Sequence, residues 1–475
     1  MRLRVLSVAS ECAPFVKTGG LADVAGALPA GLDGAGVEMR VLVPGYRALA
    51  QVSASGREVW SWPHLYGGPA RLIAAEAAGI GLFVLDAPHL YDRPGTPYLD
   101  EAGGDHPDNP ERFAALCRAG AEIGKATLDW RPDVVHGHDW QAGLMPYFLK
   151  KDGSQVPSVM TVHNIAFAGT IPTDRIEALG LDRADFHPEG FEFWGRASAL
   201  KAGLVWADAL TTVSPTYAQE LTTADFGMGF EGLIARRRDD LTGILNGIDT
   251  EAWSPGGDAH AIRFTSWRGK AKATRALRDE MGLPPSEGPL AVVVSRLTGQ
   301  KGLDLLLEAM PPFLARGGQI ALLGSGERGL EDAWRAAAER HEGVAVRIGY
   351  DEALSHRMVA GGEAMLVPSR FEPCGLTQLY GLRYGAVPVV ARTGGLADTV
   401  IDANDAALVA GAATGIVHDP GSVPALARAL DRLVTLHATG DTWRRIVRRA
   451  MHHPVGWDRQ AERYADLYRS LLPIQ

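Results

Sequence analysis

Short apolar runs alternate with longer stretches in helical pattern along most of the chain. The apolar runs are mostly continuous in Val, Leu and Ile, which is typical of strands buried on both faces of a parallel sheet. Stretches such as "PERFAALCRAGAEIGKATL" and "GRASALKAGLVWAD" predict helices between them. The strands predicted in the first half are "RVLSVAS", "EMRVLVP", "IGLFVLDAP", "DVVHGHD", "SVMTVHN", "ALTTVS" and "TGILNGID".

The alternation pauses once, in the polar segment "DTEAWSPGGDAHAIRFTSWRGKAKAT", and then resumes with "PLAVVVSR", "QIALLGSG", "VAVRIGY", "AMLVPS", "VPVVART" and "ATGIVHD". This pause predicts a domain junction at about Asn246–Pro255. We therefore predict an α/β fold of two doubly wound, Rossmann-like domains, residues 1–245 and 246–455, that face a central cleft. A final helix is predicted within 456–475, and its pattern leaves open whether it returns to the first domain.

The composition of the chain argues against several classes of partner and site. The chain has 475 residues and a formal net charge of −9, which argues against a nucleic-acid partner. Its apolar runs are too short to span a bilayer, so no membrane partner is expected. The three cysteines, Cys12, Cys117 and Cys374, offer neither a disulfide framework nor a CxxC metal pair. These features predict a cytoplasmic protein.

A glycine loop, "LLGSGERG", contains Gly324, Gly326 and Gly329 in the GxGxxG spacing of dinucleotide sites. A lone match of this kind is more often a tight strand-to-helix turn. It also does not follow the first strand of its predicted domain, where the dinucleotide fingerprint normally lies. An oxidoreductase that binds NAD at this loop is therefore an alternative and not the first choice.

The string TGGLAD occurs twice, at 18–23 and at 393–398. Paired glycines before a helix let the backbone approach a ligand, and the helix start directs free N–H groups and the positive dipole end towards an anion. Lys17 and Arg392 flank the two copies. The first copy, with Lys17, Gly19, Gly20 and Asp23, is the stronger candidate for ligand contact, whereas the second is compatible with a helix start that binds nothing.

The second domain contains the clearest candidates for a phosphate site. Arg296 and Lys301 flank the loop after a predicted strand, where two cations suit a diphosphate. Glu372 follows another strand, just before a helix whose first N–H groups, at Gly375, Leu376 and Thr377, would be free for phosphate or sugar oxygens. The competing interpretations are a solvated loop for the two cations and a helix cap for Glu372.

Polar residues also follow two neighbouring strands of the first domain. These polar residues could be the ligands of a metal ion. However, no second cluster of ligands follows and the chain has no D-x-D pair, so we predict no metal. Hydrogen bonding to a polyhydroxylated substrate suits these residues better, with Trp140 as a possible stacking face. The residues are His136, His138, Asp139, His163 and Asn164.

Six segments, in order, resemble the motifs of the bacterial glycogen synthase and plant starch synthase family, which are retaining glycosyltransferases of the GT-B fold. They are "SECAPFVKTGGLADVAGALP", "HGHDWQAGL", "TVHNIAFAG", "GILNGID", "VSRLTGQKGLD" and "SRFEPCGLTQLYGLRYGAVPVVARTGGLADTV". The resemblance covers nearly the whole chain. It implies transfer of glucose from ADP-glucose to the non-reducing end of an α-1,4-glucan such as glycogen, with retention of configuration and without a metal or other cofactor.

The resemblance also implies residue roles. Lys17 would belong to the nucleotide-sugar site, Arg296 and Lys301 would neutralise the leaving diphosphate, Glu372 would hold the donor, and His163 would contact the glucose near its anomeric centre. Related enzymes often have a second Glu eight residues after the first, but this chain has Tyr380 there. The remaining residues predicted to bind substrate are Gly19, Gly20, Asp23, Asp139, Asn164, Asn246, Cys374, Gly375, Leu376 and Thr377.

A protein that binds glucan without catalysis is a further alternative. Such a protein has no need of a diphosphate pocket, so the set of Lys17, Arg296, Lys301 and Glu372 argues against it.

Overall fold

A computed structural model describes residues 2–125 and 128–473. The chain divides into two compact units: the first comprises Met1–Gly247 and Trp457–Gln475, and the second comprises Ile248–Gly456. The junction expected after residue 245 thus lies close to the observed division. The last helix belongs to the first unit.

Within the described part of the first unit, nine strands form one sheet in the order β12-β11-β7-β6-β1-β2-β5-β4-β3, and β8, β9 and β10 form a small second sheet. The large sheet is parallel except at β3 and β4, which pair antiparallel at one edge. The strands are β1 Leu3–Val8, β2 Val37–Pro44, β3 Arg57–Leu65, β4 Gly68–Ala77, β5 Ile80–Asp86, β6 Val134–His138, β7 Ser158–Val162, β8 Thr170–Ile171, β9 Glu192–Phe193, β10 Arg196–Ser198, β11 Ala209–Thr212 and β12 Leu241–Gly243.

Helices connect the parallel strands of this unit. They are α1 Gly20–Asp33, α2 Ala50–Ser55, α3 Pro88–Tyr91, α4 Asn109–Gly124, α5 Asp139–Ala142, α6 Leu144–Lys151, α7 Ala199–Trp206, α8 Pro215–Glu220, α9 Ala224–Gly227 and α10 Glu231–Arg236. Short 3₁₀ turns cover Arg47–Leu49, Thr173–Arg175 and Arg183–Asp185.

In the described part of the second unit, six parallel strands form a sheet in the order β15-β14-β13-β16-β17-β18. The strands are β13 Leu290–Val294, β14 Gln319–Gly324, β15 Val344–Ile348, β16 Ala364–Val367, β17 Val387–Ala391 and β18 Ile416–His418. The helices are α11 Trp267–Met281, α12 Leu303–Ala309, α13 Pro311–Ala315, α14 Arg328–Arg340, α15 Glu352–Gly361, α16 Thr377–Tyr384, α17 Gly394–Thr399, α18 Asp405–Val409, α19 Val423–Ala438 and α20 Asp441–Met451, with a 3₁₀ turn at Gly299–Lys301.

The final helix, α21 (Asp458–Ser470), packs on the first unit. Its buried Tyr464 and Tyr468 share a hydrophobic cluster with Leu28 and Leu32 of α1. The close approach leaves no room for a side chain at Gly31, where a Cβ would lie 2.7 Å from Trp457 Cβ. The helix thereby covers one face of the first sheet.

The strand order determines where ligands are expected. In the first unit the order reverses between β1 and β6, and in the second between β13 and β16. In open α/β sheets, ligands bind outside the carboxyl ends of the strands at such a switch point. The loops after these four strands contain most of the site residues expected from sequence.

The α/β class of two Rossmann-like units is confirmed. The β3–β4 hairpin was not predicted, because β3 lies at the sheet edge, where its residues are largely exposed and do not form a continuous apolar run. Among the described residues, no helix combines the length and the apolar character needed to cross a bilayer.

Candidate active site

The loop after β1 is organised by the carboxylate of Glu11, a residue that was not predicted from sequence to belong to the site. Its side chain is 3% exposed and accepts hydrogen bonds from Thr18 N at 2.5 Å, Thr18 Oγ1 at 2.6 Å and Gly19 N at 3.2 Å. The hydroxyl of Tyr98 donates a further bond to it. Glu11 thus fixes the first TGGLAD copy, while Lys17, Thr18, Gly19 and Gly20 stay exposed.

Lys17 and Asp23 form an ion pair of 3.0 Å across the start of α1. The ion pair holds the ammonium beside the first helical turn, where it reinforces the positive end of the helix dipole. The backbone N–H groups of Thr18 and Gly19, however, are already used by Glu11. An anion at this loop would therefore meet Lys17 and the later N–H groups of α1.

Asp139 lies directly after β6 with a φ of +54°, a left-handed conformation that is costly outside glycine. Its Oδ1 accepts from the backbone N–H groups of His163 at 2.7 Å and Asn164 at 3.3 Å, both of which follow β7. Burial raises the pKa of Asp139 to about 7, against the lowering effect of these two donors. The structure thus brings Asp139, His163 and Asn164 together, as predicted.

Three imidazoles lie behind Asp139. His136 Nδ1 hydrogen-bonds to Tyr468 OH at 2.8 Å and its Nε2 to Thr161 Oγ1 at 2.5 Å. His138 hydrogen-bonds through Nδ1 to His163 Nε2 at 3.0 Å. Burial lowers the pKa of His136 and His163 to about 3 and that of His138 well below its usual value, so all three rings are neutral near pH 7.

In the second unit, Lys301 Nζ lies 2.6 Å from Glu372 Oε2, joining the loop after β13 to the loop after β16. Ser369 Oγ donates to the same oxygen at 2.8 Å. Glu372 Oε1 makes no hydrogen bond to any residue that the structure describes, and neither does the exposed guanidinium of Arg296. The carboxylate is therefore anchored through one oxygen and available through the other.

A second contact holds these two loops together. Arg370 binds Asp304 through both guanidinium N–H groups, at 2.7 and 2.6 Å, and also donates to Gly299 O. Gly302 has a φ of +66°, and a Cβ there would lie 2.1 Å from Pro368 O, so only glycine permits this approach. The positions of Lys301 and Glu372 are consequently fixed by this ion pair and by the close backbone approach at Gly302.

The start of α16 presents free backbone donors next to Glu372. Within the described residues, no acceptor is bound by the N–H groups of Gly375, Leu376 and Thr377. Gly375 has a φ of +72°, which lets the chain turn into the helix. Cys374 is 4% exposed and contributes main-chain atoms to this turn.

The second TGGLAD copy supports the same turn from behind. Thr393 to Leu396 are buried, and a Cβ at Gly394 would lie 2.1 Å from Glu372 O. At Gly395 it would lie 2.3 Å from Cys374 O. Gly395 N donates to Pro373 O at 3.0 Å. These glycines are therefore required for packing beneath Glu372 and do not themselves face a ligand.

The Gly324 loop does not present the donors that a dinucleotide needs. A Cβ at Gly324 would lie 1.8 Å from Ser295 O and one at Gly326 2.2 Å from Leu297 O, so both glycines pack against the loop after β13. Gly326 N donates to Glu331 Oε1 at 2.9 Å, and that carboxylate would repel a pyrophosphate. This arrangement argues against the NAD alternative.

Several other residues have clear positions. Asn246 is 7% exposed, and its buried Oδ1 has no hydrogen-bond partner among the described residues. Tyr380 is stacked on Trp253 at 3.8 Å and belongs to the core, so it does not replace the second Glu in a ligand contact. Trp140 is half-buried, with its ring packed edge-on against Phe113.

Across residues 2–125 and 128–473, no three His, Cys, Asp or Glu side chains are grouped to hold a metal ion.

Glu11, Ser369 and the Arg370–Asp304 pair were not predicted from sequence. Glu11 did leave a signal, since an acidic residue directly after the buried strand "RVLSVAS" is unusual without a partner. Ser369 and the Arg370–Asp304 pair act across separate loops, so no local pattern marks them.

Two family models match the chain: Starch synthase catalytic domain matches residues 4–236, and Glycosyl transferases group 1 matches residues 288–435. The catalytic domain of Starch Synthase IV from Arabidopsis thaliana, solved bound to ADP and acarbose, is similar over 99% of both chains, with a TM-score of 0.88 and 29% identity. Sucrose-phosphate synthase from Thermosynechococcus elongatus shares the fold, with a TM-score of 0.62 over 99% of both chains and 18% identity. The chain is a glycosyltransferase of the GT-B class.

Relatives of high sequence identity show which family within this class the chain belongs to. Glycogen synthases from Paracoccus denitrificans and a Jannaschia species are 58% and 56% identical over 98% of this chain and 99% of their own. A glycogen synthase from Roseobacter denitrificans is 54% identical over 99% of this chain and 100% of its own. The chain belongs to the glycogen synthase family of retaining glucosyltransferases, which confirms the resemblance found in its motifs.

Proposed function

We propose that this protein transfers glucose from ADP-glucose to the non-reducing end of an α-1,4-glucan, with retention and without a metal. In this reaction the bond between the anomeric carbon and the diphosphate oxygen breaks, and its electron pair stays on that oxygen. The acceptor hydroxyl forms the new bond to the anomeric carbon, and its proton passes to the departing diphosphate. Negative charge therefore grows on the diphosphate, where fixed cations stabilise the transition state.

The second unit has the groups that this charge requires. Lys301 supplies an ammonium held by Glu372, whose Oε2 also accepts from Ser369, and Arg296 supplies a guanidinium with no competing partner among the described residues. The free N–H groups of Gly375 to Thr377 add donors at a helix start. Glu372 Oε1 is left to accept hydrogen bonds from hydroxyl groups of the donor sugar.

In the first unit we assign the sugar contacts to His163, Asn164 and Asp139, which the hydrogen bonds to Asp139 Oδ1 hold together. Lys17, beside the exposed Gly19 and Gly20, is assigned to the nucleotide-sugar diphosphate. Asn246, with its unpartnered buried oxygen, is a further polar contact.

The donor assignment is supported by the ADP in the solved Starch Synthase IV structure. We also propose a cytoplasmic location, which is supported by three buried free cysteines, Cys12, Cys117 and Cys374. Because several Lys and Arg side chains are present to balance the diphosphate, a divalent cation is not required by charge.

The observation that carries the proposal is the Lys301–Glu372 pair at the switch point of the second sheet, beside free helix N–H groups. The test is incorporation of labelled glucose into glycogen from ADP-glucose and from UDP-glucose, each with and without EDTA. We expect faster transfer from ADP-glucose and no effect of EDTA. Absence of transfer from either donor contradicts the function, and loss of rate with EDTA contradicts the metal-free mechanism.

Lys301→Ala is expected to lower kcat by about 10²- to 10³-fold, the usual effect of removing a preorganised electrostatic contact to the transition state. Lys150→Ala is the matched control, because Lys150 forms an ion pair of the same length, 2.6 Å, with Asp208 in the first unit. If both variants have the wild-type rate, the assigned site is wrong.

A further inference from the structure

A buried hydrogen-bonded chain runs from β1 to the end of β7. Ser7 Oγ lies 3.0 Å from His138 Nε2, and His138 Nδ1 lies 3.0 Å from His163 Nε2. Ser7 is 1% exposed and His138 is fully buried. Neither Ser7 nor His138 is assigned a role by the reaction described above.

A neutral imidazole carries one N–H, so the chain has only two self-consistent arrangements. In the first, Ser7 donates to His138 Nε2, His138 Nδ1–H donates to His163 Nε2, and the proton of His163 is on Nδ1. In the second, every donor is reversed and His163 Nδ1 is a bare acceptor. Burial keeps both rings neutral by lowering the pKa of His138 and of His163.

Ser7 distinguishes between the two arrangements. Its Oγ has no other hydrogen-bond partner within residues 2–125 and 128–473, and the residue is buried. If His138 donated to Ser7, the Ser7 O–H would itself be a buried donor without an acceptor, which is strongly disfavoured. In the first arrangement every N–H and O–H of the Ser7–His138–His163 chain up to His163 Nε2 has an acceptor.

We propose that Ser7 and His138 are positioning residues that fix His163 as its Nδ1–H tautomer. His163 Nδ1 makes no hydrogen bond to any described residue, so its N–H is available to an oxygen of the donor sugar. This use of the N–H rests on the proposed function, in which His163 contacts the donor glucose. A hydroxyl oxygen of the donor glucose can accept this N–H, so the fixed tautomer orients the sugar for the reaction.

The direct test is long-range ¹H–¹⁵N NMR of histidine-labelled full-length protein without substrate, with the His163 signals assigned through His163→Gln. We expect a protonated Nδ1 and an unprotonated Nε2 for His163 at pH 7.5. A protonated Nε2 overturns the proposal. The outcome does not depend on turnover, so a protein with this tautomer but no transfer from ADP-glucose would contradict the proposed function alone.

Ser7→Ala removes the donor that selects the arrangement. We expect the His163 signals to shift towards a mixture of tautomers, with kcat lowered about 10- to 100-fold, the range typical when a hydrogen-bond partner that orients a metal-bound histidine is removed. The KM for ADP-glucose should change much less. An unchanged tautomer in a folded Ser7→Ala protein overturns the proposal, and if that variant does not fold, the wild-type spectrum still decides.

Tyr468→Phe is the matched control. It also removes a buried hydroxyl partner from a histidine of β6, because Tyr468 OH hydrogen-bonds to His136 Nδ1 at 2.8 Å. No hydrogen bond in the described residues connects His136 to His163. We therefore expect an unchanged His163 tautomer in Tyr468→Phe, and an equal shift in both variants contradicts the specific role of Ser7.

Discussion

The two TGGLAD copies share six residues and differ in almost every contact. In the first unit, Thr18 to Gly20 are exposed and the loop is held by a side chain, the carboxylate of Glu11. In the second unit, Thr393 to Leu396 are buried and the loop is held by main-chain carbonyl groups of Glu372 and Pro373. One copy is presented to solvent, and the other supports a neighbouring loop.

The difference shows that paired glycines before a helix serve two separate physical purposes. At Gly19 a Cβ would meet no atom within 4 Å, so the small residue leaves space on the outer side of the loop. At Gly394 and Gly395 the space is filled by protein backbone. In both copies an extended residue precedes a helix, but that residue is Gly19 in the first copy and Thr393 in the second, so the surrounding fold determines both where the helix begins and what the glycines are used for.

The largest effect is expected from Gly395→Ala. The new Cβ would lie 2.3 Å from Cys374 O and 2.5 Å from Cys374 Cα, and backbone atoms cannot move aside as a flexible side chain can. We expect a loss of about 3 kcal/mol in unfolding free energy, at the upper end for overpacking, and a large fall in kcat because the Glu372 turn is displaced. Urea unfolding and glucose incorporation measure the two effects.

Gly329→Ala is the control for this prediction. Gly329 lies in α14 of the same unit, and a Cβ there would meet nothing within 4 Å. Its replacement should be neutral or slightly stabilising. If Gly395→Ala is no more destabilising than Gly329→Ala, the second copy does not pack as described.

The next effect concerns the carboxylate that holds the first copy. Glu11→Ala leaves Thr18 N, Gly19 N and Tyr98 OH without their acceptor, so we expect a loss of about 2 to 3 kcal/mol and faster amide exchange at Thr18 and Gly19. Glu177→Ala, at an exposed pair with Arg183, should change stability by less than about 1 kcal/mol. Unchanged protection of Gly19 in Glu11→Ala would show that Glu11 does not hold the loop.

Glu372→Gln provides the contrast in the second unit. Gly395 N is bound by main-chain oxygens, so its exchange protection should survive the loss of the Glu372 charge while activity falls. Faster exchange at Gly395 in this variant would contradict the proposed difference between the copies.

Much of this could be predicted from sequence, for identifiable reasons. The continuous Val, Leu and Ile runs gave the parallel strands, and the polar segment after Asn246 gave the junction, because both are local properties of the chain. Residues at carboxyl ends of neighbouring strands, such as Asp139 and His163, could be grouped because parallel strands end at one sheet edge. The resemblance of the motifs supplied the family.

Contacts between distant segments could not be predicted. Ser7 and His138 are 131 residues apart, and no local pattern distinguishes a strand serine that hydrogen-bonds to a histidine from any other strand serine. The two TGGLAD copies show the same limit, since residues outside the string determine whether its glycines are exposed or covered.

Acid should affect β6 of the first unit and α15 of the second unit in opposite directions. His136, His138 and His163 have lowered pKa values in the fold, so their contribution to stability is present above pH 6.5 and is lost as pH falls towards about 3. The raised pKa of Asp139, about 7, has the opposite effect, because below this pH the folded state binds one proton that the unfolded state does not bind. The unfolded first unit therefore binds about two more protons than the folded one. This difference predicts a loss of about 2 kcal/mol in its free energy of unfolding between pH 6.5 and 5.5.

His356, in the second unit, is expected to have the opposite pH dependence to these three histidines. Burial lowers the pKa of His356, but hydrogen bonds to Glu352 and Asp258 outweigh that effect and raise it, so its contribution is present below pH 6.5 and is lost at higher pH. Amide exchange at pH 6.5 and 5.5, read separately for β6 and α15, should show lower protection in β6 only. Equal changes in both elements would contradict the assigned protonation states.

The smallest effect on stability, and the most specific one on function, is expected from Gly19→Ala. The φ of −157° suits any residue and a Cβ would have open space, so the unfolding free energy should change by no more than about 0.5 kcal/mol. If the donor approaches this backbone closely, the added methyl group should raise the KM for ADP-glucose about tenfold. Gly34→Ala is the matched control at the other end of α1, where the φ is −63° and a Cβ also meets nothing within 4 Å. An unchanged KM in Gly19→Ala would mean that the first copy, although exposed, is no more a ligand contact than the second.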